Sequence, residues 1–366
     1  MRRLAFFLFC GFFPLLLVQA QPVPQTAITG YVLDAQEGDS LVGVNVFVAG
    51  TTLGAATDAN GFFRIDAVPF GNHELVASII GYRRQVKPLL LDDALDAPVL
   101  FQLMPDTLML ANVEVQAIYP KDWKRNLHRF KDLFIGTMDF ARDCEILNPE
   151  VLDFIYEDNV LHATASAPLE VENRALGYRV TFHLSVLQGN LPSSVYSGQG
   201  FFTELEPKSD REARRWRKNR LKAYRGSLRH FLSALVQDHL DQDNFQLFEI
   251  AQPGLHHHAA TDPTTVYQQT EQDFLYVLDF FGALYVLYRG EDQEYGFKEH
   301  LDAVNVAVKR ERNAQYSWLT LNAGPAIFDA EGRLRNSGVL TRYGYWGWEE
   351  RMAMTLPWNF DPKAVE

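Results

Sequence analysis

The chain has 366 residues, a formal net charge of −12 and 13% aromatic residues. The surplus of acidic side chains argues against nucleic acid as the main partner, because phosphate backbones bind basic surfaces. The length and the 26 phenylalanines favour two packed globular domains over a disordered tether.

The first twenty residues are typical of a secretory signal. The basic Arg2 and Arg3 precede an apolar run over residues 4–18, and Ala20 ends a small-x-small cleavage site. The run of roughly 15 apolar residues is shorter than the ~20 that a membrane-spanning helix needs. We therefore expect residues 1–20 to be a cleaved signal peptide and the mature chain to have no transmembrane segment.

Removal of the signal would leave Cys144 as the single cysteine, so no internal disulfide can form. Cys10 lies inside the apolar run and not after it, so a lipoprotein anchor is not expected there. We expect Cys144 to serve as a small buried apolar residue and not as a reactive thiol.

From residue 25 to residue 105, short alternating apolar runs are separated by turn residues. Residues 28–33 and 42–48 are two such runs, and Asn60-Gly61 marks a turn between two more. We expect Asp58 and Asn60 to cap that turn and not to hold calcium. Several short strands at this spacing predict an antiparallel β-sandwich.

Five blocks of this segment resemble the carboxypeptidase regulatory-like domain, a transthyretin-like (prealbumin-like) sandwich common in exported proteins of Bacteroidota. The resemblance implies a fold and an accessory role, without catalytic residues in this domain. The blocks are Gly30-Tyr31-Val32, Leu41 to Val46, Thr57 to Phe63, Val68 to Gly71 and Ile80 to Tyr82.

Residues 106–120 are expected to be a linker to a larger mixed domain over residues 121–366. Apolar side chains at helical spacing predict an amphipathic helix over residues 121–135, and strand-like alternation follows Pro149. The expected fold class is therefore mainly β or α+β, with one or two long helices in the second domain. Blocks such as residues 144–149 and 172–178 resemble the C-terminal part of Bacteroidota proteins that carry the same front domain, which implies a cell-envelope location.

The sharpest charge anomaly is a second predicted helix, which Ser209 and Glu212 open as a capping box. Residues 208–229 hold ten Lys or Arg residues against two acids. The helix is either a docking face for anionic groups, such as lipid phosphates or an acidic partner, or a solvated surface paired with the protein's own carboxylates. The candidate interaction residues are Arg214, Arg215, Arg217, Lys218 and Arg220.

No catalytic, cofactor-binding or metal-binding residue is predicted. None of the ten histidines has Glu three residues later, as a zinc carboxypeptidase would require, and no zincin, serine-hydrolase or phosphate-loop motif occurs. The run His256-His257-His258 is the one metal-like cluster, but adjacent histidines in a loop point in different directions.

We favour a non-catalytic protein that is exported to the periplasm or outer membrane, with an extracellular location left open. Its expected partner is an envelope protein or an anionic surface component. The alternative is a periplasmic or secreted hydrolase that acts on glycan or peptide. A pocket in the second domain with two close carboxylates, one strongly perturbed, would favour the enzyme. A basic helix face beside exposed aromatics, without such a pocket, would favour the binding protein.

Overall fold

The computed structural model describes residues 24–106 except 94 and 96, 121–250 except 192, 260–297 except 272 and 273, and 313–365. The predicted signal peptide, all but the first residue of the predicted linker and the histidine run lie outside the described residues. Within the described ranges, strands dominate and helices are few, so the predicted mainly-β fold class is confirmed.

The front domain is a sandwich of two sheets that share one apolar core, which includes Val32, Phe63, Leu75 and Phe101. The first sheet has the order β4-β1-β7 and the second the order β3-β2-β5-β6. The strands are β1 Gln25–Asp34, β2 Asn45–Val48, β3 Gly54–Ala56, β4 Phe62–Pro69, β5 Gly71–Ser78, β6 Gln85–Leu91 and β7 Val99–Leu103.

Two details of the front domain can be compared with the sequence. Asp58 caps its turn, because its Oδ1 accepts the backbone N–H groups of Asn60 and Phe62 at 2.8 and 2.9 Å. The sandwich is not fully antiparallel, since β7 pairs with β1 in parallel. The chain crosses through the second sheet before β7, so it returns to β1 in the same direction.

A six-stranded sheet follows, in the order β8-β11-β12-β10-β9 with β13 along the other edge of β12. Helix α1, Lys121–Phe134, buries Phe130 and Phe134 against this sheet, which confirms the predicted amphipathic helix. The strands are β8 Cys144–Ile146, β9 Leu152–Glu157, β10 Val160–Ala165, β11 Leu169–Asn173, β12 Tyr178–Asn190 and β13 Ser193–Glu204.

The rest of the described chain adds a four-stranded sheet, β14-β17-β18-β20, and a three-stranded sheet, β15-β16-β19. The strands are β14 Phe245–Ile250, β15 Tyr267–Gln269, β16 Leu275–Leu278, β17 Ala283–Tyr288, β18 Gln315–Leu321, β19 Ala326–Asp329 and β20 Leu340–Gly344. The helices are α2 Asp210–Tyr224, α3 Leu228–Val236 and α4 Tyr345–Glu349, and Gly226 separates α2 from α3 at φ +78°. Short 3₁₀ helices occupy Asp139–Asp143, Pro149–Val151, Pro263–Thr265, Ser337–Val339, Met352–Met354 and Pro362–Ala364.

The aromatic run near the end of the chain, residues 343–348, is largely part of the core. Tyr345, Trp346 and Trp348 are buried, whereas Tyr343 is 40% exposed and stacks on Trp318 with a centroid distance of 5.8 Å. In the part of the chain that the structure describes, no helix is long and apolar enough to cross a membrane.

The front domain contacts the second part through the turn between β2 and β3. The Gly50 N–H donates to the Gly200 carbonyl at 2.7 Å, and the Phe202 N–H donates to the Thr51 carbonyl at 2.9 Å. The segment after α4 joins the same seam, because the Trp358 N–H donates to the Gly50 carbonyl at 2.7 Å. The two bonds of Gly200 and Phe202 join the edge of β13 to the front domain.

Candidate functional site: the basic face of helix α2

Helix α2 begins with the predicted capping box. The Ser209 Oγ accepts the Glu212 N–H at 3.3 Å, and the Glu212 Oε2 accepts the Lys208 N–H at 2.6 Å. These bonds satisfy amide groups that have no partner within the first turn of a helix, so the start of α2 is well defined.

The underside of α2 is bonded to the turn between β11 and β12. Trp216 Nε1 donates to the carbonyl of residue 174 at 2.8 Å, and Asn219 Nδ2 donates to that of residue 175 at 2.8 Å. Arg220 donates from Nε to the carbonyl of residue 176 at 2.8 Å and from Nη2 to that of residue 177 at 3.3 Å. Four successive carbonyls thus take donors from one helix face, which fixes the orientation of the helix.

Arg220 is therefore a buried residue, and the prediction that it is an interaction residue is wrong. It is 8% exposed, and its guanidinium carbon lies 4.0 Å from the centroid of the Tyr178 ring. The physical reason is helical spacing: Arg220 lies one turn after the buried Trp216, on the face that meets the sheet. A partner cannot reach this guanidinium without displacing the helix.

Arg215 occupies the margin between the buried and exposed faces. Its guanidinium lies 3.7 Å from the Glu212 carboxylate and 3.8 Å from that of Asp143, and it also donates to the Arg174 carbonyl at 3.2 Å. Such exposed ion pairs contribute little to stability and exchange readily with solvent. Arg215 is consequently engaged with the protein but still at its surface.

The remaining three candidates, Arg214, Arg217 and Lys218, are exposed. Within the described ranges, no carboxylate pairs with any of them. Arg211 shares these properties and lies one turn before Arg214, so helical spacing could have added it to the sequence-based set. We call these four residues, Arg211, Arg214, Arg217 and Lys218, the basic face. The alternative interpretation, that these cations pair with the protein's own carboxylates, does not hold for the four residues within the described part of the chain.

A cavity in the second part of the chain is relevant to the alternative that the protein is a hydrolase. It has a volume of about 190 Å³, lies beside the start of α3 and is lined in part by Glu349 and Glu350. Burial, followed by the carboxylates of Glu294 and Glu350, raises the pKa of Glu349 well above its usual range. Glu350 instead accepts the Leu228 N–H at 2.6 Å and the Arg342 Nη1 at 2.7 Å. The molecule thus has both the basic face and a pocket with two carboxylates.

Other potentially reactive groups are inert or dispersed. The Cys144 thiol donates to the Phe140 carbonyl at 3.5 Å, and burial raises the pKa of the thiol to about 12, so it stays protonated. Across the described ranges, no cluster of three His, Cys, Asp or Glu side chains has the arrangement of a metal site.

The front strands, their order and the Asp58 turn can now be set beside known proteins. Residues 28–115 match the family model of the CarboxypepD_reg-like domain. The front domain is a CarboxypepD_reg-like domain. The match covers this domain and says nothing of the basic face, which lies in the second part of the chain. Curated proteins gave no match.

Solved structures share limited similarity with the chain. One is from a type II cohesin–X-dockerin complex of Acetivibrio cellulolyticus, with 24% identity over 20% of this chain and 56% of that chain and a TM-score of 0.18. A proposed carbohydrate-binding protein of Bacteroides uniformis has 11% identity over 50% of this chain and 80% of its own, with a TM-score of 0.19. A proposed membrane-associated protein of unknown function from Bacteroides fragilis has 14% identity over 44% and 65%, with a TM-score of 0.18.

Proposed function

We propose that this chain is an exported cell-envelope protein that binds an anionic envelope component through the basic face of α2. The observation that carries the proposal is a set of exposed cations that have no carboxylate partner among the described residues, on a helix whose opposite side is bonded to the turn between β11 and β12. Export is supported by the signal-like residues 1–20, and an accessory role by the CarboxypepD_reg-like domain.

The chemistry of the basic face fits anionic oxygens. Three of its four residues are arginines, whose planar guanidinium groups donate two parallel hydrogen bonds to a phosphate or carboxylate. The protein as a whole is acidic, so the concentration of cations on one face of α2 would orient the molecule toward an anionic partner. The apolar stripe of α2 faces the core, which favours electrostatic docking over insertion into a membrane.

Capture from solubilised envelopes tests this function. Tagged mature protein would be compared with a variant that carries Arg214→Glu, Arg217→Glu and Lys218→Glu. The matched control reverses three exposed lysines of α1, Lys121, Lys124 and Lys131, and so changes the net charge by the same amount.

We expect the wild type and the α1 control to recover an anionic component at low salt, and less at high salt because salt screens exposed charges. The α2 variant should not recover it. Equal recovery by all three proteins would refute a specific role for the basic face.

The hydrolase that acts on glycan or peptide is the second candidate, and the cavity with Glu349 and Glu350 favours it. A glycosidase needs one protonated and one free ionised carboxyl. Glu350 is ill suited to the second role because both of its oxygens accept hydrogen bonds from the protein. Hydrolysis of glycan or peptide that disappears in a folded Glu349→Gln variant would support this candidate over the binding role.

A further inference from the structure

The cavity beside α3 has a lining of both apolar and polar residues, and it has room for one small ring. Its volume is about 190 Å³. Apolar cavities of roughly 150 Å³ hold a benzene molecule. A six-membered ring with one substituent is therefore a suitable size. The apolar and aromatic lining residues are Ala223, Tyr224, Leu228, Leu334, Met354, Leu356 and Trp358.

The two guanidinium groups that line the cavity are bonded to the protein. Arg229 donates to the backbone carbonyls of residues 331, 357, 358 and 360 at 2.9 to 3.3 Å. Arg333 pairs with Asp329 at 2.7 Å and with Glu331 at 2.8 Å. These bonds direct both cations toward the surrounding chain.

Glu349 differs from the other charged groups of the lining. It is only 6% exposed, and no hydrogen bond or ion pair joins its carboxyl group to another residue in the described part of the chain. An ionised carboxylate buried without a partner is strongly unfavourable, so such groups usually take up a proton or bind a cation. Glu349 is thus a buried lining residue whose carboxyl has no partner among the described residues, so a ligand in the cavity could supply that partner.

The charges around Glu349 determine the sign of that ligand. Glu294, Glu350 and Glu291 all act on it with negative charge. Lys222 opposes them, and its Nζ lies 2.9 Å from the Glu294 carboxylate, so these two charges largely offset each other and leave Glu350 and Glu291 as the negative neighbours. An anion would be repelled at this end of the cavity, and a neutral hydroxyl would supply a hydrogen bond without compensating the charge. A cation supplies both.

We propose that the cavity binds a small organic cation, with an ammonium group against Glu349 and an apolar body of about one ring against the walls. This site lies outside the basic face and needs neither Arg214 nor its neighbours. It also gives Glu349 a role that requires no second free carboxylate, in contrast to the hydrolase.

Binding would change the protonation of Glu349. Burial and the neighbouring carboxylates raise the pKa of Glu349, which favours its protonated form before the ligand binds. The ammonium ligand keeps its own proton, and the proton of the Glu349 carboxyl is released to solvent. Affinity should therefore rise with pH until Glu349 is ionised in the free protein, and up to one proton should be released per ligand bound.

Calorimetric titration of the mature chain tests the proposal, with cyclohexylammonium as the cationic probe and cyclohexanol as its neutral isostere. We expect cyclohexylammonium to bind at least about tenfold more tightly than cyclohexanol. The Glu349→Gln variant should lose that preference. Glu206→Gln, at an exposed position with no hydrogen bond or ion pair to another described residue, should keep it.

A second readout does not depend on any variant folding. Titration of the wild type in two buffers with different ionisation enthalpies gives the number of protons released, which we expect to lie between zero and one and to fall as pH rises. Equal affinities for the two probes, no binding of cyclohexylammonium at millimolar concentration, or an unchanged preference in Glu349→Gln would each overturn the proposal. None of these results would affect binding at the basic face.

Discussion

Replacement of Arg220 by methionine should destabilise the protein, whereas the same change at Arg214 should not. Methionine keeps most of the apolar stem but removes the donors to the carbonyls of residues 176 and 177 at 2.8 and 3.3 Å. It also removes the guanidinium that lies 4.0 Å from the Tyr178 ring centroid. Arg214 is exposed and has no such contacts.

The expected loss of stability in Arg220→Met can be estimated from these contacts. A hydrogen bond to a charged group contributes about 1.5–3 kcal/mol, and a cation–π contact ~1 kcal/mol. Because the shorter of the two carbonyl bonds should dominate, we expect Arg220→Met to lower the free energy of unfolding by about 3 kcal/mol. Exposed substitutions away from such features usually change it by less than ~0.5 kcal/mol, which is the expectation for Arg214→Met.

Denaturant unfolding followed by tryptophan fluorescence measures this difference, since Trp216 lies on the same helix and bonds to the same turn. The midpoint of Arg220→Met should shift clearly to lower denaturant, and that of Arg214→Met should stay with the wild type. Equal midpoints for the two variants would refute the assignment of Arg220 to the interior. At native conditions Arg214→Met should bind anionic material more weakly, because it removes one exposed cation.

Three further outcomes are expected. Gly177→Ala should lower the free energy of unfolding by about 2–4 kcal/mol, because residue 177 has φ +74° and a Cβ would lie 2.3 Å from the Trp216 ring. An unfolding curve like that of the wild type would contradict that reasoning. Burial lowers the pKa of His183 from its usual 6.5 to about 4. As pH falls, the histidine therefore takes up its proton in the unfolded chain before it does so in the folded protein. The free energy of unfolding should consequently fall by up to ~3 kcal/mol as pH drops from about 6.5 toward 4. His183→Phe should weaken that dependence while keeping the stack on Phe47, and the remainder should come from His73, whose pKa burial also lowers to about 4. Identical pH profiles of the unfolding midpoint for the wild type and the variant would exclude the effect of His183. Mass spectrometry of the exported protein should find Gln21 at its amino terminus, and retention of residues 1–20 would contradict the predicted cleavage.

The front domain was the most predictable part, because its signals are local. Alternating runs mark its strands, and Asp58 with Gly61 defines a turn through bonds between near neighbours. The pairing of β7 with β1 could not be predicted in the same way. It joins segments about seventy residues apart, and the order of the sheets is decided by the shared core and not by either strand alone.

In α2, the sequence predicted the helix and its charge but not the division of its cations. A buried arginine looks like an exposed one in a sequence, because arginine is mostly found at surfaces. The i,i+4 spacing from Trp216 to Arg220 was the available signal, since it places both on one face. Glu349 gave no comparable signal. It lies in a run of aromatic residues, and the charges that act on its carboxyl come from distant segments, such as Glu294 and Lys222.

If the basic face docks on an anionic surface, the protein should bind vesicles that contain anionic phospholipid. Each Lys or Arg near such a surface contributes about 1 kcal/mol, so reversal of Arg214, Arg217 and Lys218 to Glu should weaken binding by roughly 100-fold. The reversal of Lys121, Lys124 and Lys131 should have a much smaller effect. Equal affinity of the wild type and both variants at low salt would contradict the account.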